Sequence, residues 1–390
     1  MLPEGWRETT LENVCSKPIC YGIVQAGPHI NEGVYYIKSS DIKDGKIDNV
    51  SGLSRTSIEI HRKYERSSIF PGDIILSLRG NIGECAIVPN DIYEGNLTQG
   101  TARICLSDGY YNEFVKNYIL FINSMILKRA KGSTFKEISI EELRKIKIRY
   151  PQIVEQEKIA AILSTWDKAI STTDALLANS RQQKKALMQQ LLTGKRRLPG
   201  FTGEWKFPSA RKLFKNISIK HRPEETLLAV TQTEGVIPRH LLDRRVVMPE
   251  GDVNLYKLVK KGDFIISLRS FQGGLEYSSY QGLVSPAYTV ITKCCDIDDI
   301  FYKHYFKSAL FIGKLAVAVI GIRDGKQISY EDFSCIRLPY PPLDEQRAIA
   351  AVLDAADREI VLLEQKAARL REEKKALMQQ LLTGKRRVRL

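Results

Sequence analysis

Fourteen consecutive residues, Lys184 to Arg197 (KKALMQQLLTGKRR), recur without change as Lys374 to Arg387, 190 positions later. An identity of that length is not a chance event, and it restricts the chain to architectures built from two copies of one unit. At the same offset PQIVEQEKIAAIL (Pro151 to Leu163) faces PPLDEQRAIAAVL (Pro341 to Leu353), and GDIILSLRG (Gly72 to Gly80) faces GDFIISLRS (Gly262 to Ser270). The pairs Ile138-Ser139 and Ile328-Ser329 align as well. No net insertion separates the copies from Gly72 and Gly262 onward, although the residues between the matched blocks differ heavily. Divergent interiors sit in a constant frame.

The matched segments after Pro151 and Pro341 predict long helices. Each opens at proline (Pro151; Pro341-Pro342), then runs without Gly or Pro and stops at Thr-Gly (Thr193-Gly194 and Thr383-Gly384), which suits a glycine cap followed by Lys-Arg-Arg. In the first copy Ile159, Leu163, Trp166, Ile170, Thr173, Leu177, Ser180, Lys184, Leu187 and Leu191 follow alternating four and three spacing. In the second, Ile349, Leu353, Ala356, Ile360, Leu363, Ala367, Leu370, Lys374, Leu377 and Leu381 do the same. That is a heptad seam. A helix of about 40 residues extends roughly 60 Å and needs a partner to bury its seam. The other copy, packed antiparallel about an internal pseudo-twofold axis, is the expected one. Ala186, Met188 and Leu192, with their copies Ala376, Met378 and Leu382, add apolar surface at the helix ends. Met188, Leu192, Met378 and Leu382 are therefore docking candidates for another protein's helices.

The regions before the helices read as short strands followed by one helix. In the first, the strands are Val34 to Lys38, Ile74 to Leu78, Cys85 to Val88 and Thr101 to Leu106, with a helix from about Tyr111 to Lys131. The second has Leu227 to Thr231, Phe264 to Arg269, Ala287 to Thr292 and a helix from about Ile300 to Val319. Strands grouped ahead of one helix predict an α+β class. The expected division is a mixed domain at 1–150, a helix at 151–200, a second mixed domain at 201–340 and a second helix at 341–390.

Charge narrows the partner. The chain carries 59 Lys and Arg against 45 Asp and Glu, a net charge of +14, on a composition otherwise ordinary for a globular protein. Such a surplus favours nucleic acid or an anionic surface as partner, because each cation placed near a phosphate releases condensed counterions. It is spread over every region, with Lys195-Arg196-Arg197 and Lys385-Arg386-Arg387 just past the helix ends, either beside phosphates or against the helix dipole. No long apolar run and no signal-peptide plan is present, so the expected setting is cytoplasmic, with no membrane. The seven cysteines form no CxxC and no group with the five histidines, which supports neither a disulfide framework nor a zinc site.

No catalytic signature emerges: the chain has no P-loop, no HExxH, no GxSxG and no Asn-Pro-Pro-aromatic motif. Arg79 to Gly83 (RGNIG) reads as a hairpin turn, and Asp73 and Asp263 as turn residues. Polar turns supply candidate DNA contacts instead: Arg79, Asn81, Gln99, Thr101, Lys131, Ser133 and Lys136 in the first mixed region, Arg269, Gln272, Arg323 and Lys326 in the second. These residue types grip phosphate or read base edges.

The duplicated plan, with Gly-Asp-Ile-Ile-Leu-Ser, the helix-opening Pro-x-x-x-Glu-Gln-x-x-Ile-Ala-x-Ile/Val-Leu and KKALMQQLLTGKRR, resembles the specificity (S) subunit of type I restriction–modification enzymes. The resemblance implies two target recognition domains, each reading half of a split DNA sequence, spaced by two antiparallel helices. It also implies a subunit that is itself non-catalytic and binds no cofactor. The implied partners are double-stranded DNA, two modification subunits that methylate adenine with S-adenosylmethionine, and two restriction subunits that use ATP and Mg2+. Because the two mixed regions differ, the target is expected to be asymmetric. An S subunit of a fused methylase–nuclease system and a coiled-coil protein adaptor are the competing readings.

Overall fold

A computed structural model describes residues 2–47, 49–132, 136–242, 252–318 and 328–389. The chain divides into two compact units, Met1–Thr173 with Lys366–Leu390, and Asp174–Gln365. Each unit therefore holds one mixed domain together with the first half of one long helix and the second half of the other, so the helices are not a separate body.

In the first unit an antiparallel sheet has the strand order Cys20–Tyr21, Thr101–Ile104, Ile74–Ser77, Cys85–Ile87. Strand alternation sends successive residues to opposite faces. Ile74, Leu76, Ala102 and Ile104 face a core completed by Phe114, Val115, Tyr118 and Ile119, whereas Ile75 and Ala86 face a second core with Ile37, Ile69 and Leu97. Burial on both faces explains why GDIILS reads as an unbroken apolar run. A smaller sheet pairs Val34–Ile37 with Ser54–Thr56 antiparallel and with Gly95–Leu97 parallel.

The second unit repeats the order with Phe214–Ile217, Thr289–Lys293, Phe264–Ile266 and Glu276–Tyr277. Its core is more aromatic, with Phe264, Tyr302, Phe306 and Phe333 around Phe214. The Gly-Asp turns behave alike: the Asp73 carboxylate accepts the Phe70 N–H at 2.9 Å and Asp263 accepts the Lys260 N–H at 2.8 Å. Both aspartates lock the turn that feeds the central strand.

Each helix expected before the long one is broken. The first runs Asn112–Phe121 and Asn123–Arg129, interrupted at Ile122. The second runs Asp299–Phe306 and Ala309–Ala318, because the Ser308 hydroxyl accepts the Phe311 N–H and starts a new helix.

The long helices span Ile153–Leu191 and Leu343–Leu381. Their ends close identically: Gly194 and Gly384 have φ of 70° and 68°, and the Arg196 and Arg386 N–H groups bond back to Gln190 and Gln380 carbonyls. Along the seam Ile159, Leu163, Thr173, Ser180 and Leu191 are buried in the first helix, and Ile349, Leu353, Ala367 and Leu381 in the second. The remaining seam positions, Trp166, Ile170, Leu177, Leu187, Ile360, Leu363, Leu370 and Leu377 among them, are half-buried.

Within each unit the helices run antiparallel. In the second unit Lys184 pairs with Asp357, Arg181 with Glu364 and Arg197 with Glu345. In the first unit Lys374 pairs with Asp167 and Arg387 with Glu155. The Lys–Asp and Arg–Glu pairs of one unit are those of the other shifted by 190 residues. The charged seam positions Lys184 and Lys374 carry matched cross-helix ion pairs.

One expectation about the helix ends is corrected. Leu192 and Leu382 do not present a docking face: both are about 1% exposed or less and belong to the core of the mixed domain in their own unit, with Met188 and Met378 packed against the same cores. The arginines that end the Lys-Arg-Arg triplets, Arg197 and Arg387, are engaged inside the protein. Each is held bidentate by a glutamate in the first turn of a long helix, Arg197 by Glu345 at 2.5 and 2.7 Å and Arg387 by Glu155 at 2.7 and 2.8 Å. The glutamates are 0% and 2% exposed, and a buried charge requires such a partner.

The second unit also buries His304 against its long helix, with Nε2 3.0 Å from Asp354 and Nδ1 3.8 Å from Asp357. Lys303 pairs with the first carboxylate and Lys184 with the second. Burial and Lys184, with Lys303 adding to them, push the imidazole pKa below its ordinary value, against the opposing pull of Asp354 and Asp357. The folded state thus favours neutral His304. Its contribution is complete above the unfolded pKa of about 6.5 and is lost as pH falls from there toward the lower folded value. The melting temperature of the full chain is expected to drop as pH falls below about 6.5, and His304→Gln to flatten that slope. A slope unchanged in the variant contradicts this account.

Candidate nucleic-acid interface

Backbone hydrogen bonds gather the polar turns of the first unit at one edge of the sheet. The Leu78 N–H donates to the Gly100 carbonyl at 2.8 Å, the Ile138 N–H to Leu78 at 3.2 Å, and the Gln99 N–H to Ile23 at 3.0 Å. Lys131 and Glu137 exchange a pair of backbone bonds at 2.9 Å. The hairpin turn after Ile74–Ser77 lies at the centre, with the added Cβ of a residue at Gly80 3.7 Å from Ser39 Oγ. Arg79, Asn81, Gln99, Lys131 and Lys136 come together here, and all but the half-buried Gln99 are exposed.

The arginine is not free. Arg79 Nε pairs with Glu137 at 2.8 Å, both side chains more than a third exposed. Such a pair contributes little to stability, and it holds the guanidinium in a fixed direction from which it can be handed to a phosphate or a guanine edge. Thr101 is corrected: it is fully buried, and its hydroxyl donates to the Thr98 carbonyl at 3.0 Å, so it closes the turn from within. Ser133 lies outside the described residues.

In the second unit the corresponding strand, Phe264–Ile266, leads to a single helical turn, Ser270–Gly273, with Arg269 at its N-cap position and the Arg269 carbonyl accepting the Gln272 N–H at 2.9 Å. Ser267 and Ser270 tie its base, the Ser270 hydroxyl accepting the Ser267 N–H at 2.8 Å. Arg269 and Gln272 are exposed, and Arg269 has no ion pair among the described residues. Arg323 and Lys326 lie outside them. The tip of the hairpin formed by Leu228–Thr231 and Gly235–Pro238 adjoins this turn, placing Gln232 beside Gly273.

The family described as type I restriction modification DNA specificity domain matches residues 3–179 and 247–372, well over half of the chain. The chain belongs to this family. As a type I specificity-domain protein it is 32% identical over 167 residues to the specificity subunit of the Escherichia coli restriction enzyme EcoBI, a match covering 41% of this chain and 34% of that subunit. A longer match, 25% identical, covers 92% of the chain and 87% of the specificity subunit of the MjaVIII enzyme of Methanocaldococcus jannaschii. The fold is that of the crystal structure of a type I restriction–modification S subunit from M. genitalium, with a TM-score of 0.61 and 96% of both chains covered at 16% identity.

The structure gives the helix-opening motif a physical reading that its sequence alone did not offer. Its glutamate is the buried partner of Arg387 or Arg197. Its glutamine joins the helix start to the mixed domain: Gln156 accepts the Tyr111 N–H and donates to the Gly109 and Pro151 carbonyls, and Gln346 accepts the Asp298 N–H and donates to Pro341. Both glutamines are fully buried. The Glu-Gln pair of each specificity-domain copy is a structural joint. Among the described residues no helix is long and apolar enough to cross a membrane.

Proposed function

We propose that the chain is the DNA-reading subunit of a type I restriction–modification assembly. The mixed domains, 1–150 and 201–340, each bind one half of a bipartite, asymmetric sequence, and the helical segments 151–200 and 341–390 space them. Two modification subunits and two restriction subunits supply the chemistry, with S-adenosylmethionine, ATP and Mg2+ bound by those partners. The chain contributes binding and positioning alone.

One contrast carries this reading. The Arg–Glu, Lys–Asp and helix-joint contacts repeat at a 190-residue offset, while the exposed edges differ: Arg79, Asn81 and Lys131 in one unit, Gln232, Arg269 and Gln272 in the other. A constant scaffold presenting two different polar edges is suited to two different half-sites. Arg79, Asn81, Gln99, Lys131 and Lys136 are assigned to one half, Arg269 and Gln272 to the other.

The test exchanges residues 1–150 for the corresponding region of a relative, with methylated adenines mapped in cells that also express the modification subunit. One half-site is expected to change and the other to persist. Simultaneous change of both halves would contradict separate readers.

A further inference from the structure

We infer that Gln232 determines specificity in the second mixed domain and that Lys307 is the positioning residue that fixes it there. This rests on the reading of that domain as a DNA reader and names residues within it.

Lys307 follows the helix Asp299–Phe306 and is the meeting point of three segments. Its ammonium donates to the Gln232 carbonyl at 3.3 Å, to the Gly273 carbonyl at 3.0 Å and to Glu276 Oε1 at 2.6 Å. An ammonium has three donors, and all three are used. Through them one cation fastens the hairpin tip, the turn carrying Arg269 and Gln272, and the neighbouring strand into one surface.

The arrangement is costly unless it serves geometry. Glu276 is 1% exposed, and its second oxygen has no hydrogen-bond partner. A buried ion pair is seldom a net gain in stability over apolar residues of the same size. It does fix direction. Ala86 and Asn117 stand at the corresponding positions of the first copy, so the clamp belongs to one reader only.

The outcome is an exposed glutamine with a constrained backbone. Gln232 is exposed and its side-chain amide has no hydrogen bond among the described residues. An added Cβ at Gly273 would lie 3.2 Å from Gln232 Nε2, so the absence of a side chain at Gly273 leaves the amide its place. Gln232, Gln272 and Arg269 thus form one polar edge. An amide carries a donor and an acceptor in fixed relation, which matches the N7 and N6 groups that adenine presents in the major groove.

Methylated adenines are mapped in cells co-expressing the modification subunit with wild type, Gln232→Ala, or the double variant Lys307→Met/Glu276→Leu, which removes the buried pair without leaving a lone charge. Gln232→Ala is expected to reduce discrimination at one position of the second half-site by roughly ten- to hundredfold. The first half-site stays unchanged. The double variant is expected to relax the same position while the melting temperature and assembly with the modification subunit are retained, an effect that a purely structural pair would not produce. An unaltered second half-site in Gln232→Ala overturns the inference, whereas a wild-type map without a bipartite motif overturns the functional reading on which it rests.

Discussion

Replacing Arg197 by Met is expected to destabilise the full chain by about 3 kcal/mol, lowering the melting temperature by roughly 6–12 °C. The substitution keeps most of the side chain's apolar volume but leaves Glu345, 0% exposed, with a single side-chain donor, the Trp205 indole N–H at 3.0 Å. Removing one partner of a buried pair costs about 3–5 kcal/mol. The lower end applies because Glu345 lies in the first turn of its helix, where the dipole favours a negative charge. Arg197→Lys preserves the charge and loses the two-point geometry, so an intermediate loss is expected. Arg387→Met tests the copy. Glu155 lacks the indole bond, since the Trp6 N–H is buried without a partner, and its loss should be at least as large. Thermal unfolding of the three variants checks the ordering; an Arg197→Met protein as stable as wild type would show the pair to be dispensable.

The second large effect concerns Leu382 and Leu192. Each sits in a mixed-domain core with 1% exposure or less, so Leu382→Ala is expected to cost about 2–5 kcal/mol through lost burial and a residual cavity. A docking role makes a different forecast: the isolated chain would keep its stability, and only assembly with a modification subunit would weaken. Measuring unfolding of the full chain without partners separates the two. The expected result is a large loss in the isolated chain for both Leu382→Ala and Leu192→Ala.

That residue also shows where the sequence was readable and where it was not. Heptad spacing placed Ile159, Leu163, Ile349 and Leu353 on a seam because a period of 3.5 is a local property of the chain. The same apolar character at Leu192 and Leu382 looked like surplus surface, since the mixed-domain core that receives them lies far away in sequence. Identical residues at a fixed offset reported the duplication directly, and the Gly-Asp turns were legible from local turn chemistry. The Glu-Gln of the helix openings was visible as a motif but mute as to cause, because its partners, Arg387, Tyr111, Arg197 and Asp298, are distant in the chain.

The polar edges proposed to read DNA were partly legible for the same reason. Arg79, Lys131 and Arg269 stood out as cations beside glycine turns. Thr101, four residues from Leu97 in a polar stretch, looked identical to its half-buried neighbours, yet it starts a strand that is buried on both faces. Gln232 and Lys307 gave no signal at all. Their significance depends on three segments meeting at one ammonium, which no spacing rule anticipates.

The central claim is that one chain carries two separate and different DNA readers on a repeated scaffold. The most direct measurement is the genome-wide map of methylated adenines in cells expressing the wild-type chain with its modification subunit. A split motif with two dissimilar halves around a fixed unread spacer is predicted. A continuous motif, a palindrome, or methylation independent of sequence would contradict it.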